Sequence, residues 1–453
     1  MFFKQFVDED LGCASYLVGD ERTHEAVLVD PSFAIEPYLE EASRRELTIV
    51  AVLESHTHAD HVSGHGRLAL EHGIPVRIHP AAQPAYPFEP LEDGSAIDLG
   101  STRIRVIHTP GHRPEHCAFA VSDRTRSDEP WLVLTGDSLF VGDAARPDLA
   151  IEAREGAEGL FSSLRRLLEL ADGVEVYPGH VAGSLCGTAM SSKGSTTVGF
   201  ERRFNPMLGL ATVEEFVAAS TAATATPRPP NMERIVELNR GPFVGAPPPL
   251  AMVEQANLER PEGAVVVLDV RDADAFAAGH VPGAISVPLS SSAFGTKAGF
   301  ILRPDDRVVI HAASAEQAEL AAARLHAVGF LELAGRLDDP ETPARTQPVE
   351  LDELERLVSE NAVVLVDVRE KDERDDGYIA GSLNVPYRLL RELGADLVDG
   401  RPVVTICESG ARAGIAASVL AAQGIEARPV LHGGVRAWAD SGHETVHFRR
   451  CGT

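Results

Sequence analysis

The stretch His56-Thr57-His58-Ala59-Asp60-His61 puts three imidazoles and a carboxylate within six positions. Neutral imidazole and carboxylate suit zinc, iron or manganese, and the lack of thiolates there argues against a structural zinc site. One such loop cannot complete a metal site, and the chain supplies further donors in order. They are His112 after Thr109-Pro110-Gly111, Asp137 after Thr135-Gly136, and His180 after Pro178-Gly179. A second chemistry rests on Cys407, followed by Glu408-Ser409-Gly410-Ala411-Arg412. A cysteine opening a tight loop before a helix gathers backbone N–H groups and the helix dipole around its sulfur. That environment stabilises a thiolate and the anionic persulfide it forms.

Each donor follows an apolar run that reads as a short buried strand: Ile49–Leu53, Ile104–Ile107, Trp131–Leu134, Val174–Tyr177 and, for the cysteine, Val403–Ile406. Strand ends are where rigid scaffolds present reactive groups. Ile35 to Arg45 is predicted helical, Asp30-Pro31 forms a turn, and a second helix is expected over Val62 to His72, its N-terminus facing the metal loop. Residues 212–250 are rich in Thr, Ala and Pro. After a helical Val213–Ala222 they are expected to form a boundary and linker, because proline clusters cannot continue a helix. Beyond the linker the chain repeats itself. Val265-Val266-Val267-Leu268-Asp269-Val270-Arg271 returns 98 residues later as Val363-Val364-Leu365-Val366-Asp367-Val368-Arg369. A domain-sized period means duplicated domains, each a small α/β unit with a parallel sheet.

The length of 453 residues suits two to four domains, and 44% hydrophobic with 24% charged residues is ordinary for globular chains. A net charge of −27 disfavours nucleic acid and anionic membrane as partners. No apolar run approaches a membrane span, and the start lacks a signal pattern. Five widely spaced cysteines (Cys13, Cys117, Cys186, Cys407, Cys451) fit a reducing cytoplasm, not a disulfide framework.

The set His56-x-His58-x-Asp60-His61, His112, Asp137 and His180 resembles the metallo-β-lactamase superfamily over about the first 210 residues. The stretch Gly142-Asp143-Ala144-Ala145-Arg146-Pro147-Asp148-Leu149 resembles persulfide dioxygenases, with Ala145 where their pattern has Gly. Arg146 then either clamps an anionic group of the substrate or forms a structural salt bridge. The segment Tyr177–Gly187 is similar to the closing segment of the same enzymes. Its Cys186 either handles sulfur near the metal or fills buried space. The Cys407–Arg412 loop, with Asp367-Val368-Arg369, Gly377–Pro386 and Gly433-Gly434-x-x-x-Trp438, resembles rhodanese sulfurtransferases. A phosphatase loop is built similarly but usually has a longer Cys-to-Arg spacing. At the matching place the first copy has His311-Ala312-Ala313-Ser314, which cannot form a covalent persulfide, so it resembles an inactive rhodanese domain.

The resemblance implies an α/β and α+β multidomain chain. An αββα metallo-β-lactamase sandwich (1–245) is followed by an inactive rhodanese-like α/β domain (246–345) and a rhodanese sulfurtransferase domain (346–453). It implies one Fe(II) per chain held by His56, His112 and Asp137, with His58, Asp60, His61 and His180 around them or on a second metal. The implied activity is non-haem iron oxidation of a low-molecular-weight persulfide by O₂ to thiol and sulfite. It is coupled to sulfur transfer through Cys407 and Arg412, with sulfite or thiosulfate as further partners, in sulfide detoxification. The alternative is a thioesterase of glyoxalase II type with two Zn²⁺ on the same seven donors. A third reading makes the chain a sulfur carrier whose metal domain only binds. A cytoplasmic homo-oligomer, dimer or tetramer, is expected.

Overall fold

In the computed structural model the described residues are 1–147, 152–181, 191–222, 227–258, 265–394 and 399–447. Two compact units emerge, one of Met1–Pro247 with His326–Gly329 and one of Pro248–Leu325 with Phe330–Thr453.

The first unit is built on two six-stranded mixed sheets. One runs in sequence order through β1 (Phe2–Val7), β2 (Ala14–Asp20), β3 (Glu25–Val29), β4 (Thr48–Leu53), β5 (Val76–Ile78) and β6 (Glu89–Pro90). The other comprises β7 (Ala96–Leu99), β8 (Thr102–His108), β9 (Cys117–Asp123), β10 (Leu132–Gly136), β11 (Glu175–Pro178) and β12 (Thr196–Thr197), again in sequence order. Side chains alternate across each strand, and both faces of the central strands are buried. Tyr16, Val18, Val27, Val29 and Leu53 meet Ile104, Val106, Phe119, Val121 and Leu134 between the sheets. The opposite face of the first sheet, with Leu17, Leu28 and Val52, is covered by Tyr38 and Ala42 of helix Glu36–Arg44 and Leu68 of helix His65–His72. Ala118, Ala120, Val133 and Val176 of the second sheet lie under Ala157, Leu160 and Leu164 of helix Ala153–Leu167 and Phe216 of helix Val213–Ala222. These four layers form the expected αββα sandwich. Each large side chain fully buried in it contributes roughly 1.5–3 kcal/mol.

Two expectations shift. The second helix begins at His65, not Val62, because Ser63 is held extended by pairing with Ser32 and by its N–H donating to Asn239 (2.8 Å). The stretch marked as linker contains helix Met232–Arg240, which carries Asn239.

The second unit holds two four-stranded, all-parallel sheets of the same order. The first has β13 (Val265–Asp269), β14 (Ile285–Ser286), β15 (Arg307–His311) and β16 (Gly335–Leu337), ordered β14-β13-β15-β16. The second has β17 (Val364–Asp367), β18 (Leu383–Asn384), β19 (Val403–Ile406) and β20 (Ala427–Pro429), ordered β18-β17-β19-β20. Their near-continuous apolar runs suit parallel strands covered on both faces. Pairing of Asp367 with Ile406 brings Cys407 to the carboxyl edge beside Arg369. No helix among the described residues is long and apolar enough to cross a membrane.

Candidate metal centre and cysteine loop

The metal loop leaves β4 through Glu54 and Ser55, while His112 and Asp137 follow β8 and β10 of the other sheet. The sandwich brings them together: one ligand atom each of His56, His112 and Asp137 lies within 4.8 Å of the others, and all three residues are buried. Asp137 Oδ2 is 3.9 Å from His56 Nε2 and 3.6 Å from His112 Nε2. That oxygen is buried and makes no hydrogen bond among the described residues. An orphaned carboxylate oxygen facing two imidazole nitrogens is a costly arrangement unless a cation sits between them. Burial, together with neighbouring cationic groups, pushes the pKa of His56 well below its ordinary value. Burial also depresses His112, although Asp137 opposes the shift. Both rings are therefore neutral, as metal ligands must be. Burial works against charge on Asp137, but contact with His180 outweighs it and holds the carboxyl well below the usual range.

Surrounding contacts aim these ligands. His112 Nδ1 donates to the Arg146 carbonyl (2.9 Å), leaving the Nε2 lone pair toward Asp137. His56 Nδ1 lies 2.9 Å from Ser55 Oγ. His116 Nε2 accepts from the Asp137 N–H (2.9 Å), and burial lowers the pKa of this ring to about 3, so it stays a neutral acceptor. Gly136 permits this approach, with φ +47° and a Cβ that would stand 2.6 Å from His116 Nε2.

The other four donors of the motif are arranged differently. His180 spans two carboxylates, Nδ1 2.7 Å from Asp137 Oδ1 and Nε2 2.7 Å from Asp60 Oδ2. Cys13 Sγ donates to Asp60 Oδ2 (3.1 Å) and lies 3.4 Å from His61 Nδ1. Burial pushes the Cys13 thiol pKa up, so it is protonated. His58 Nε2 is 3.3 Å from Asp30 Oδ1 and 3.4 Å from Glu54 Oε2, at ion-pair distance without hydrogen-bond alignment. Burial opposes the His58 charge, but these two carboxylates overcome it and raise its pKa. His58 Nδ1 and His61 Nε2 are buried without a hydrogen bond among the described residues. Asn239 pins the loop, donating to the carbonyls of His58 (3.0 Å) and His61 (2.8 Å).

Sequence reasoning missed Glu54, Asn239, Cys13, His116 and the buried pair Arg113–Glu115. Glu115 accepts from Arg113 Nε (2.8 Å) and from the Thr57 N–H (3.1 Å). The signal available for Glu115 and His116 was two polar residues directly before an apolar strand, opposite His112 on the same turn. Arg146 is buried and serves His112 through its carbonyl. Cys186, Asp148, Leu149 and Cys451 lie outside the described residues.

In the second unit Cys407 is 1% exposed at the end of β19, and Gly410 N–H donates to its Sγ (3.1 Å). The loop opens into helix Ala411–Ala422, as its sequence implied. Arg412 makes a bidentate pair with Glu373 (2.6 Å to each oxygen). In the first copy the strand register matches His311 to Ile406, so Ala312 stands at the cysteine position; His311 Nδ1 lies 3.1 Å from Asp269 Oδ2.

Comparison with known proteins agrees with this architecture. The metallo-beta-lactamase superfamily matches residues 8–180, and the rhodanese-like domain matches residues 252–339 and 350–441. An uncharacterized protein of Mycobacterium tuberculosis is 33% identical over 224 residues, covering 44% of this chain and 93% of that protein. The mitochondrial persulfide dioxygenase of Bos taurus is 30% identical over 244 residues, covering 52% of this chain and 85% of that protein. A crystal structure of a metallo-beta-lactamase from Staphylococcus aureus superposes with a TM-score of 0.67 at 27% identity, covering 74% of this chain and 98% of that one. With its metal-binding sandwich ahead of a duplicated sulfurtransferase-like fold, the chain belongs to the metallo-β-lactamase superfamily, in the branch that joins a persulfide dioxygenase domain to two rhodanese-like domains.

Proposed function

We propose that the first unit is an Fe(II)-dependent dioxygenase that oxidises a low-molecular-weight persulfide, and that Cys407 exchanges sulfane sulfur as a thiosulfate-type sulfurtransferase. The overall oxidation balances as R–S–SH + O₂ + H₂O giving R–SH + SO₃²⁻ + 2H⁺. The observation that carries this reading is the compact His56–His112–Asp137 cluster, whose two nitrogens and one carboxylate oxygen form a single three-donor face. A two-His-one-carboxylate face is the ligand type of non-haem iron oxygenases, and an iron held by these three residues would offer the persulfide sulfur and O₂ a place to react. The chain's own residues hold that face. Arg146 O and Ser55 Oγ fix the two imidazoles, and His180 and the His116-bound N–H fix Asp137. We assign the Arg146 side chain to an anionic group of the substrate, and Cys186, outside the described residues, to sulfur handling. Domain limits at 245 and 345 follow from the same reading.

A second reading has its own observation. His58 Nδ1 and His61 Nε2, which make no hydrogen bond among the described residues, suit a dinuclear zinc hydrolase, in which Asp60 and His180 also turn to metal. Against it, His180 and Asp60 are spent on each other and on Asp137.

The test is oxygen uptake by anaerobically iron-loaded protein given a low-molecular-weight persulfide, with sulfite and thiosulfate assayed together. Uptake is expected to vanish in His112→Ala and to survive in Cys407→Ser. Absence of uptake, together with thioester hydrolysis by zinc-loaded protein, replaces this reading with the second.

A further inference from the structure

Resting on the single-ion reading of the metal centre and deepening it, we propose that Cys13 is the positioning residue that limits the centre to one ion. Its thiol fastens Asp60 beside His180, so that neither is offered to a second metal. The motif's donors are numerous enough for two ions, and His61 Nε2 is buried without a hydrogen bond among the described residues. One such nitrogen cannot hold an ion alone. Asp60 and His180 are the residues that would complete its ligand set.

The backbone fixes where the thiol stands. Cys13 pairs with His180 in an antiparallel bridge just ahead of β2. On either side of that bridge the Ala14 N–H donates to the Gly179 carbonyl (2.7 Å) and the Val181 N–H to the Gly12 carbonyl (2.9 Å). Cys13 is buried there, and its Sγ donates to Asp60 Oδ2 (3.1 Å). The same oxygen lies 2.7 Å from His180 Nε2, whose ring reaches Asp137 Oδ1 with its other nitrogen (2.7 Å). Asp60 Oδ1 lies 3.3 Å from His61 Nδ1, and that nitrogen is 3.4 Å from the Cys13 sulfur. Both oxygens of Asp60 are therefore engaged, one of them twice.

To take up a second ion, Asp60 must turn an oxygen and His180 a nitrogen away from each other. Turning Asp60 also strips the buried thiol of its acceptor. A thiol is a weak donor, but an ionised acceptor strengthens the bond, and a buried donor without a partner is disfavoured. The opposite use of the same sulfur is as a ligand, since one ligand atom each of Cys13, Asp60 and His61 lies within 4.8 Å of the others. In that case removing the thiol weakens the second ion. In ours it strengthens it, so the sign of one measurement separates the two.

The test titrates the anaerobic full-length chain with Fe(II) against a chromophoric chelator, for wild type, Cys13→Ala and Cys13→Ser. Iron and protein are then counted after gel filtration, and melts without metal report on the fold. The wild type is expected to retain one ion per chain. Cys13→Ala, which lacks the donor, is expected to bind a second ion at least about fivefold more tightly than wild type. Cys13→Ser restores a hydroxyl donor and is expected to stay within about twofold of wild type. Wild type given one equivalent of Co(II) is expected to show no sulfur-to-cobalt charge-transfer band in the near ultraviolet. Second-ion binding in Cys13→Ala no tighter than in wild type overturns the proposal and leaves the single-ion reading standing. So does a serine variant that behaves like the alanine one. Two ions retained by the wild type, or the cobalt band, removes both.

Discussion

Replacing His180 with alanine separates one metal ion from two. In the structure both His180 nitrogens face carboxylates at 2.7 Å, one on Asp137 and one on Asp60. If His180 only steers Asp137, its loss removes an outer partner of a ligand, not a ligand. Such losses cost about 10- to 100-fold in metal affinity, or about 1.4–2.8 kcal/mol. The saturating stoichiometry stays at one ion per chain. If His180 instead binds a second ion, the wild type takes up two ions and the variant one. The assay is an anaerobic Fe(II) titration against a chromophoric chelator, paired with elemental analysis of gel-filtered protein. Thermal melts of both proteins without metal show whether the fold survives, and His180→Gln restores a donor toward one carboxylate. Two ions in the wild type falling to one in His180→Ala would refute the single-ion reasoning. So would an affinity in His180→Ala equal to that of the wild type.

Three further outcomes follow from the packing. Asn239→Ala removes donors to two metal-loop carbonyls and the acceptor of Ser63 N–H, all buried, so urea unfolding should show a loss of about 3 kcal/mol together with weakened iron retention. Gly410→Ala forces a side chain onto the Leu431 carbonyl at φ +97°, so sulfur loading of Cys407 should fall at least about tenfold while oxygen uptake by the first unit persists. Asp20 is nearly inaccessible and accepts from the N–H groups of Arg22 (2.9 Å), Thr23 (3.2 Å), Ser101 (2.7 Å) and Thr102 (3.0 Å), tying β2 to the β7–β8 turn. Burial opposes its charge, but the Ser101 hydroxyl and these backbone donors hold its pKa well below the ordinary carboxylate value. A depressed folded-state pKa contributes stability that is present above the unfolded value of about 4 and is lost as pH falls through the folded one. Asp20→Asn should therefore cost about 2 kcal/mol at pH 7 in chemical denaturation, and the gap to wild type should narrow progressively below pH 4.

Strand ends were legible because apolar runs stop where the backbone must turn, and the donors sit at those stops: His56 after β4, His112 after β8, Asp137 after β10, His180 after β11. What the sequence hid are partners whose meaning comes from distant chain. Asn239 lies more than 170 positions from the loop it holds, in a stretch whose prolines announce a linker. No local pattern marks an amide there as reaching back to His58 and His61. Cys13 reads as one of five scattered thiols, and only the pairing of Cys13 with His180 across the sandwich brings it to Asp60. The split of the seven motif donors into a three-ligand face and a surrounding set is likewise invisible to spacing. It depends on which nitrogen of each ring another residue occupies.

The duplicated domains show which part of a signature carries chemistry. In the second copy Arg369 grips Asp367 and reaches the Gly377 carbonyl (2.6 Å). In the first copy Arg271 grips Asp269 and reaches the Gly279 carbonyl (2.8 Å), although that copy has Ala312 where the cysteine would be. The same fork therefore persists without the sulfur it adjoins. Its work is to close the loop after the first parallel strand, since a buried carboxylate and a free carbonyl both require a donor. The Asp-Val-Arg motif is thus evidence for the fold and silent on activity. Activity is argued from the features the first copy lacks: the thiol, the glycine that donates to it, and an arginine committed to a carboxylate beside it.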